Sequence, residues 1–554
     1  MEVKDLYKQF CTEGFDEKGV LNKFELNCPD NYNFAYDIID GIAKIEPNRR
    51  AIVWCDEENH EYTFTYGDLM KKSNQVANMF LAHGVKKGDK VLCVLKRHYQ
   101  FWFITMALCK IGAILIPATN QLMVKDFVYR FEAAGVKFVV ATGTGETADH
   151  IEASLDQYKG ISERYIVNGN TNREGWVDFD AEYQKYPDTL ERIPSKVDED
   201  MLLYFTSGTT GYPKMVLHNH YYAAAHILTG KHWHNLGVNS LHLTISESGW
   251  AKCMWGKMYG QFSTGACIFI YDFDRFIAAD ILHMIEKHKI TSLCCPPTMY
   301  RFFMKEGIEK YDLSSLEYAT IAGEALNPEI FNRFYEYTGI KLMEGFGQTE
   351  TTVIIANLPG TTPKPGSMGK PMPLYNVDIA DEDGETVTTG EVGEIVVRTN
   401  GRTQKGILKC YYNNEQATNA TWHDNIYHTG DTAWRDEDGY IWYVGRTDDV
   451  IKSSGYRIGP FEIESVLMEH PAVLECAVTG VKDAIRGTVV KATIVLAKEY
   501  KDKGNDDLIK ELQNHVKHNT APYKYPRVVE FVEELPKTSS GKIRRIAIRE
   551  KDNQ

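Results

Sequence analysis

Thr206, Ser207, Gly208, Thr209, Thr210 and Gly211 stand in a row just ahead of Lys214. That is a composition for binding phosphate. Glycines let consecutive backbone N–H groups turn inward as an anion nest, hydroxyls donate to phosphate oxygens, and the lysine adds a positive charge. A Walker A loop would end in Gly-Lys-Ser/Thr, whereas Tyr212 and Pro213 separate Gly211 from Lys214. Most Ser/Thr/Gly clusters are plain surface loops, but the order Ser-Gly-Thr-Thr-Gly-x-Pro-Lys is too particular for one.

The elements that must hold such a loop are legible as alternating runs. KVLCVL, KFVVAT, LHLTIS, ACIFIY and TSLCCP read as apolar strands, and YGDLMKKSNQVANMFLAHG and DRFIAADILHMIEKHK as helices. Alternation of this kind predicts βα units with mostly parallel, buried strands. The stretch Phe101 to Ala118 is the most apolar; Lys110 and Gly112 break it into a buried helix feeding a buried strand, not a membrane span. Beyond about Thr361 short alternating strands with DG and TG turns predict a small β-subdomain. Near the C-terminus AVLECAVTGV and VVKATIVLA read as strands and DDLIKELQNHVKHN as a helix.

Composition excludes several classes. The 554 residues are 43% hydrophobic and 25% charged, ordinary globular values, and at roughly 150 residues per domain would make about three or four domains. A formal charge of −14 is a poor footing for a general nucleic-acid binder. From Lys517 to the end, however, nine basic residues stand with five acidic ones, a basic end suited to a small polyanion. Eleven scattered cysteines without a CxxC pair argue against zinc or a secreted disulfide framework and for free thiols in a reducing compartment. The N-terminus MEVKDLYKQF has no basic-then-apolar leader, so a cytoplasmic location and no stable membrane insertion are expected.

The segment Tyr204 to Lys214 resembles the signature loop of the adenylate-forming superfamily, which includes acyl-CoA synthetases, aryl-CoA ligases, adenylation domains and firefly luciferase. Further segments resemble its other signatures, in order: Ala322-Gly-Glu-Ala325, Glu344-Gly-Phe-Gly-Gln-Thr-Glu350, Tyr427-His-Thr-Gly-Asp431, Tyr443-Val-Gly-Arg-Thr-Asp-Asp449, Ser454-Gly-Tyr-Arg-Ile-Gly459 and Pro536-Lys-Thr-Ser-Ser-Gly-Lys542. Ala521-Pro-Tyr-Lys-Tyr-Pro-Arg527 makes the likeness greatest to the medium-chain acyl-CoA synthetases. The resemblance implies an α/β fold: a large N-terminal ATP- and acyl-binding domain, residues 1–447, of βα subdomains plus a small β-subdomain, and a small mobile α+β C-terminal domain, residues 448–554, turning about a hinge at Asp448.

It also implies chemistry. A carboxylic acid is activated with ATP and Mg2+ as an acyl-adenylate, releasing pyrophosphate, and coenzyme A then takes the acyl group and expels AMP. The loop from Thr206 to Lys214 would hold the pyrophosphate half. Thr349 would donate to the α-phosphate and Glu350 would ligate Mg2+, a cation that prefers oxygen and few protein ligands at ATP. Gly323, Glu324 and Ala325 would flank adenine, and the nucleotide would also meet Glu344, Gly345, Phe346, Gly347 and Gln348. Asp431 would accept from both ribose hydroxyls, Arg446 would add a ribose or phosphate contact, and Lys542 would bridge carboxylate and α-phosphate during adenylation. Coenzyme A would meet Ser454, Gly455, Tyr456, Arg486, Lys517, Tyr525, Pro526 and Arg527, with Gln121 from the large domain.

For the acyl pocket the resemblance implies a wall at Trp250, with Trp255 and Tyr259 read as core, and an Arg457 contact that changes with domain orientation. Acetate-specific relatives carry a tryptophan before Gln-Thr-Glu; Gly347 stands there here, which predicts room for a medium-chain, branched-chain or aromatic monocarboxylic acid. Broad selectivity is expected, because one methylene is worth only about 1–3 kcal/mol in an apolar pocket. The rival is a stand-alone adenylation enzyme or aryl-CoA ligase with a different acid or acceptor. A catalytically silent nucleotide binder would be expected to lose Lys542, Glu350 or Asp431, and all three are present. The sequence allows a homodimer without requiring one.

Overall fold

Runs of β-branched residues that are apolar on both faces can be buried only in a sheet covered by helices on both sides. The computed structural model of the chain has two such sheets; it describes residues 1–206, 213–324, 326–402, 404–453, 456–483, 487–537 and 543–552. Among these, the first sheet has eight strands, in the order Cys410–Tyr411, Lys214–Asn219, Asp200–Thr206, Ile114–Pro117, Lys90–Val94, Phe138–Thr142, Glu163–Val167 and Val177–Asp178. The second has nine: Lys370–Pro371, Val353–Ala356, Leu342–Gly347, Tyr318–Ile321, Ser292–Cys295, Leu241–Thr244, Cys267–Asp272, Arg50–Asp56 and Glu61–Thr65. The central pairs of both are parallel, as the alternating runs predict; antiparallel strands close both edges of the second sheet and one edge of the first, whose other edge, Val177–Asp178, is parallel.

Helix Tyr66–Ala82 starts where Thr65 and Asp68 form a reciprocal capping box, which satisfies two of the amide donors a helix start leaves open. Helix Gln100–Ile111 is buried at every residue and ends on Gly112 at φ +70°, and strand Ile114–Pro117 follows. The break expected at Lys110 and Gly112 therefore falls at the glycine alone. Lys110 stays inside the helix because its Nζ meets Asp40 Oδ1 at 2.8 Å, Ser73 Oγ at 2.9 Å and Asn74 Oδ1 at 2.7 Å.

A five-stranded sheet that includes Asn376–Ala380, Gly393–Arg398 and Ile426–Arg435, with Ile441–Arg446 pairing onto the last, is the small β layer. Strands Val473–Asp483, Gly487–Leu496 and Val528–Val532 form a separate sheet. Helices Pro460–Met468 and Asp506–Asn519 cover it around their own apolar cluster, which includes Ile463, Val478, Ile494 and Leu512. All eleven cysteines are free and nine are buried. No helix of the described residues is long and apolar enough to cross a membrane.

Candidate active site

In an open parallel sheet, ligands bind outside the carboxyl ends of the strands. In the second sheet those ends lead from Tyr318–Ile321 into Ala322, Gly323 and Glu324, and from Leu342–Gly347 into Gln348, Thr349 and Glu350. The first sheet contributes the hairpin Asp200–Thr206 and Lys214–Asn219, in which Thr206 faces Lys214 across the mouth. Ser207, Gly208, Thr209, Thr210 and Gly211 lie outside the described residues, as do Ala325, Ser454, Gly455, Arg486 and Lys542.

Three anchors fix the turn Gln348–Glu350. The Gln348 amide Nε2 donates to Thr429 O at 2.7 Å and to Asp431 Oδ2 at 2.5 Å, while its Oε1 accepts from Tyr427 Oη at 2.9 Å. His218 Nε2 contacts Thr349 O at 2.8 Å, and the imidazole stacks on Tyr222 with centroids 3.8 Å apart. Burial pushes the His218 pKa down to about 3, so the ring is neutral and the nitrogen facing the carbonyl carries its proton. Leu408 N donates to Glu350 O at 2.6 Å, and Tyr411 Oη donates to Glu350 Oε1 at 2.8 Å. Lys214 Nζ lies 4.7 Å from the centroid of the same tyrosine ring.

Asp431 is 5% exposed. Tyr443 Oη donates to its Oδ1 at 3.0 Å, and in the strand pairing it stands opposite Arg446. A carboxylate has about four lone-pair sites and can accept several hydrogen bonds at once, those of Gln348 and Tyr443 among them. The Phe346 ring is 6.3 Å from that of Tyr443. Gly323 holds φ +106°; beside it Lys252 Nζ donates to Ala322 O at 2.6 Å, and Thr298 Oγ1 donates to Glu324 Oε2 at 2.8 Å. Glu344 lies under this segment and is 3% exposed. Leu326 N donates to its Oε1 at 3.4 Å, its Oε2 has no hydrogen-bond partner among the described residues, and burial pushes its pKa up to about 8.

The two glycines of the strand end are contact surfaces for tryptophans. A Cβ on Gly345 would lie 2.5 Å from the Trp233 indole; one on Gly347 would lie 2.3 Å from Trp255 Cη2 and from Thr352 O. The space that a Cβ of Gly347 would enter is therefore filled. Trp255, on helix Ala251–Lys257, occupies the space beside it, with its Nε1 donating to Tyr222 Oη at 3.1 Å. Trp250 stands half-buried just before that helix. Trp233 belongs to the π-helical stretch Leu228–Trp233 and donates from Nε1 to Met343 O at 3.1 Å. The sequence reading puts Trp255 in the core and does not single out Trp233, because the pairing of indole with glycine is visible only in space.

At the basic end, Tyr525 lies between two cations, Lys517 Nζ at 4.1 Å and the Arg527 guanidinium at 4.7 Å from its ring centroid. Pro526 is buried. Tyr456 and Arg457 lie in strand Tyr456–Ile458, and the side chains of both fall outside the description. Gln121 is exposed on the large body, where its backbone N donates to Thr119 Oγ1. Asp448 Oδ1 is 3.6 Å from Arg446 Nε, and its neighbour Asp449 is held by Arg549 at 2.5 Å and Arg545 at 3.6 Å. Tyr427 and Tyr443 sit inside motifs the sequence displays, but their roles as props for Gln348 and Asp431 carry no sequence signal; nor does the contact of Tyr411.

Among the described residues no group of three or more His, Cys, Asp or Glu side chains could hold a metal. Glu350 alone, with one oxygen taken by a neutral hydroxyl, is the donor set of a hard cation held mainly by phosphate oxygens and water, and so fits Mg2+.

Comparison with known proteins agrees with this geometry. Residues 40–412 match the family model of the AMP-binding enzyme, and residues 462–542 that of the AMP-binding enzyme C-terminal domain. The chain is 38% identical to the mouse (Mus musculus) acyl-coenzyme A synthetase ACSM3, mitochondrial, over 99% of this chain and 96% of the other. It is 39% identical to the human (Homo sapiens) acyl-coenzyme A synthetase ACSM4, mitochondrial, over 96% and 92%. Among solved structures, the anthranilate CoA ligase AuaEII in complex with anthranoyl-AMP superposes with a TM-score of 0.87 at 29% identity, over 95% of this chain and 98% of that one.

Proposed function

Because the chain belongs to the AMP-binding enzyme family, we propose that it activates a monocarboxylic acid with ATP and passes the acyl group to coenzyme A. It is an acid–thiol ligase of the AMP-forming kind. The observation that carries the reading is the bond from Gln348 to Asp431, which brings the phosphate-side turn and the ribose-side carboxylate into one site.

In the first half-reaction a carboxylate oxygen attacks the α-phosphorus and the bond to pyrophosphate breaks. In the second the thiol sulfur attacks the acyl carbon and AMP leaves. Little covalent help is needed, so positioning and charge stabilisation do the catalysis. Thr349 donates to the α-phosphate, Asp431 takes the ribose hydroxyls, Lys214 and the loop behind Thr206 meet the leaving pyrophosphate, and Lys542 bridges the reacting oxygens. Glu350 would hold Mg2+, which would supply charge neutralisation to the phosphates. The domains divide at 447/448, and rotation about Asp448 exchanges the Lys542 face for the coenzyme A face built on Lys517, Tyr525 and Arg527. Support for that face is the pair of cations on Tyr525, which suits the phosphates of coenzyme A.

The acid is a medium-chain or branched-chain one. The test is coenzyme-A-dependent AMP release over a panel from acetate to octanoate, with branched acids and benzoate. Thioester from C4–C8 or branched acids, with little from acetate, is the expected result; no AMP with any acid overturns the reading. As to compartment, the relatives named above are mitochondrial, while the free thiols ask only for reducing surroundings, which cytoplasm and mitochondrial matrix both provide. The cytoplasm is the reading from the sequence, and imaging of a C-terminal fluorescent fusion decides it.

A further inference from the structure

Tyr411 touches two opposite charges of the candidate site at once. Its hydroxyl donates to Glu350 Oε1 at 2.8 Å, and the Lys214 ammonium lies 4.7 Å from its ring centroid. The tyrosine is 5% exposed. It stands opposite Val216 in the pairing of Cys410–Tyr411 with Lys214–Asn219, and its backbone N donates to Thr418 Oγ1 at 3.0 Å. Three residues earlier, Leu408 N holds the backbone of the same Glu350. One short strap, residues 408–411, therefore fixes both the backbone and the side chain of the glutamate.

The ring also carries the lysine ammonium on its face. A carboxylate and an ammonium in half-buried surroundings attract more strongly than in water, and a direct pair would occupy the oxygens a cation needs. Among the described residues neither Lys214 nor Glu350 enters an ion pair; the lysine rests on the aromatic face instead, where a cation is itself stabilised. We infer that Tyr411 is a positioning residue for the divalent cation: it fixes one oxygen of Glu350, leaves the other to ligate, and keeps Lys214 off the carboxylate. The inference rests on the reading of Glu350 as the cation ligand.

Tyr411→Phe keeps the ring and loses the donor. The expected result is a roughly tenfold rise in the Mg2+ concentration for half-maximal acyl-adenylate formation, the scale typical of residues that orient a metal ligand, with the KM for the acid unchanged. Mn2+ binding beside a non-hydrolysable ATP analogue, followed by electron paramagnetic resonance, reads the same loss without turnover. Tyr411→Leu removes the ring too and weakens Mn2+ further, read at saturating ATP analogue so that a loss of metal is separated from a loss of nucleotide. If Glu350→Gln leaves the metal dependence untouched, the assignment of Glu350 falls. If Glu350→Gln weakens Mn2+ binding while Tyr411→Phe does not, this inference alone is overturned.

Discussion

Gly347 and Glu344 lie on one strand end, yet they put different demands on the chain. At Gly347 the demand is steric. A methyl group there would meet a backbone carbonyl and an indole at 2.3 Å, neither of which can retreat freely, so Gly347→Ala should destabilise by about 1–3 kcal/mol, the range for overpacking. Urea unfolding reads the loss, and the acid KM should rise with it because Trp255 must shift. An unchanged midpoint would mean that the indole is loosely held. At Glu344 the demand is electrostatic. Burial raises its pKa from 4.5 to about 8, so the folded chain keeps a proton that the unfolded chain has released. Its contribution to stability is complete below about pH 4.5 and is lost as pH rises toward about 8. Glu344→Gln, which cannot ionise, should gain on the wild type in urea midpoint steadily between about pH 5 and pH 8. A difference that stays flat over that window removes the assignment.

Among the elements, helix Gln100–Ile111 shows how a polar residue survives in an apolar run. Lys110 is fully buried and joins three helices through Asp40, Ser73 and Asn74. Lys110→Met removes one member of the pair and leaves Asp40 buried without its cation, which should cost about 3–5 kcal/mol; Lys110→Met with Asp40→Asn should recover much of it. Chemical denaturation of the two variants checks both. This element also marks how far the sequence could be read. Gly112 as the stop and Ile114–Pro117 as the next strand followed from residue type, and Asp506–Asn519 from helical periodicity, because those signals are local. Lys110 read as a break because its three partners lie 36 to 70 residues away along the chain, and no local pattern announces them. The candidate site divides in the same way. Motif residues such as Asp431 and Gln348 were visible in a row of letters, while Tyr411, 61 positions from the glutamate it holds, and Trp233 against Gly345 were not.

Across the whole molecule, Asn327 ties the two parts together. Its Oδ1 accepts from Glu329 N at 2.7 Å and so caps helix Pro328–Thr338, while its Nδ2 donates to Ser465 O, in helix Pro460–Met468, at 3.2 Å. Asn327→Ser keeps a capping oxygen and loses the amide donor. If the C-terminal part rotates about Asp448, this contact belongs to one orientation only, and losing it shifts the balance between the two. Single-turnover rates of adenylate and thioester formation should change relative to each other by about threefold or more, while overall stability moves by less than about 1 kcal/mol, as expected for one neutral hydrogen bond. Equal changes in both rates would separate Asn327 from any such motion.

The buried thiols give the chain a set of internal clocks. Burial raises the Cys55 pKa to about 12, and those of Cys93, Cys295 and Cys476 are likewise raised. A buried thiol is thus both shielded and unreactive, and it meets an alkylating reagent only when its own layer opens. Cys93 sits in the first sheet, Cys295 at the strand end beside the site, and Cys476 in the C-terminal sheet, so each would time a different opening. Pulsed alkylation during turnover, with each cysteine followed by mass, should label Cys476 on a different schedule from Cys93. The order in which the labels arrive would be a chronology of loosening, written by the protein's own thiols without an engineered label.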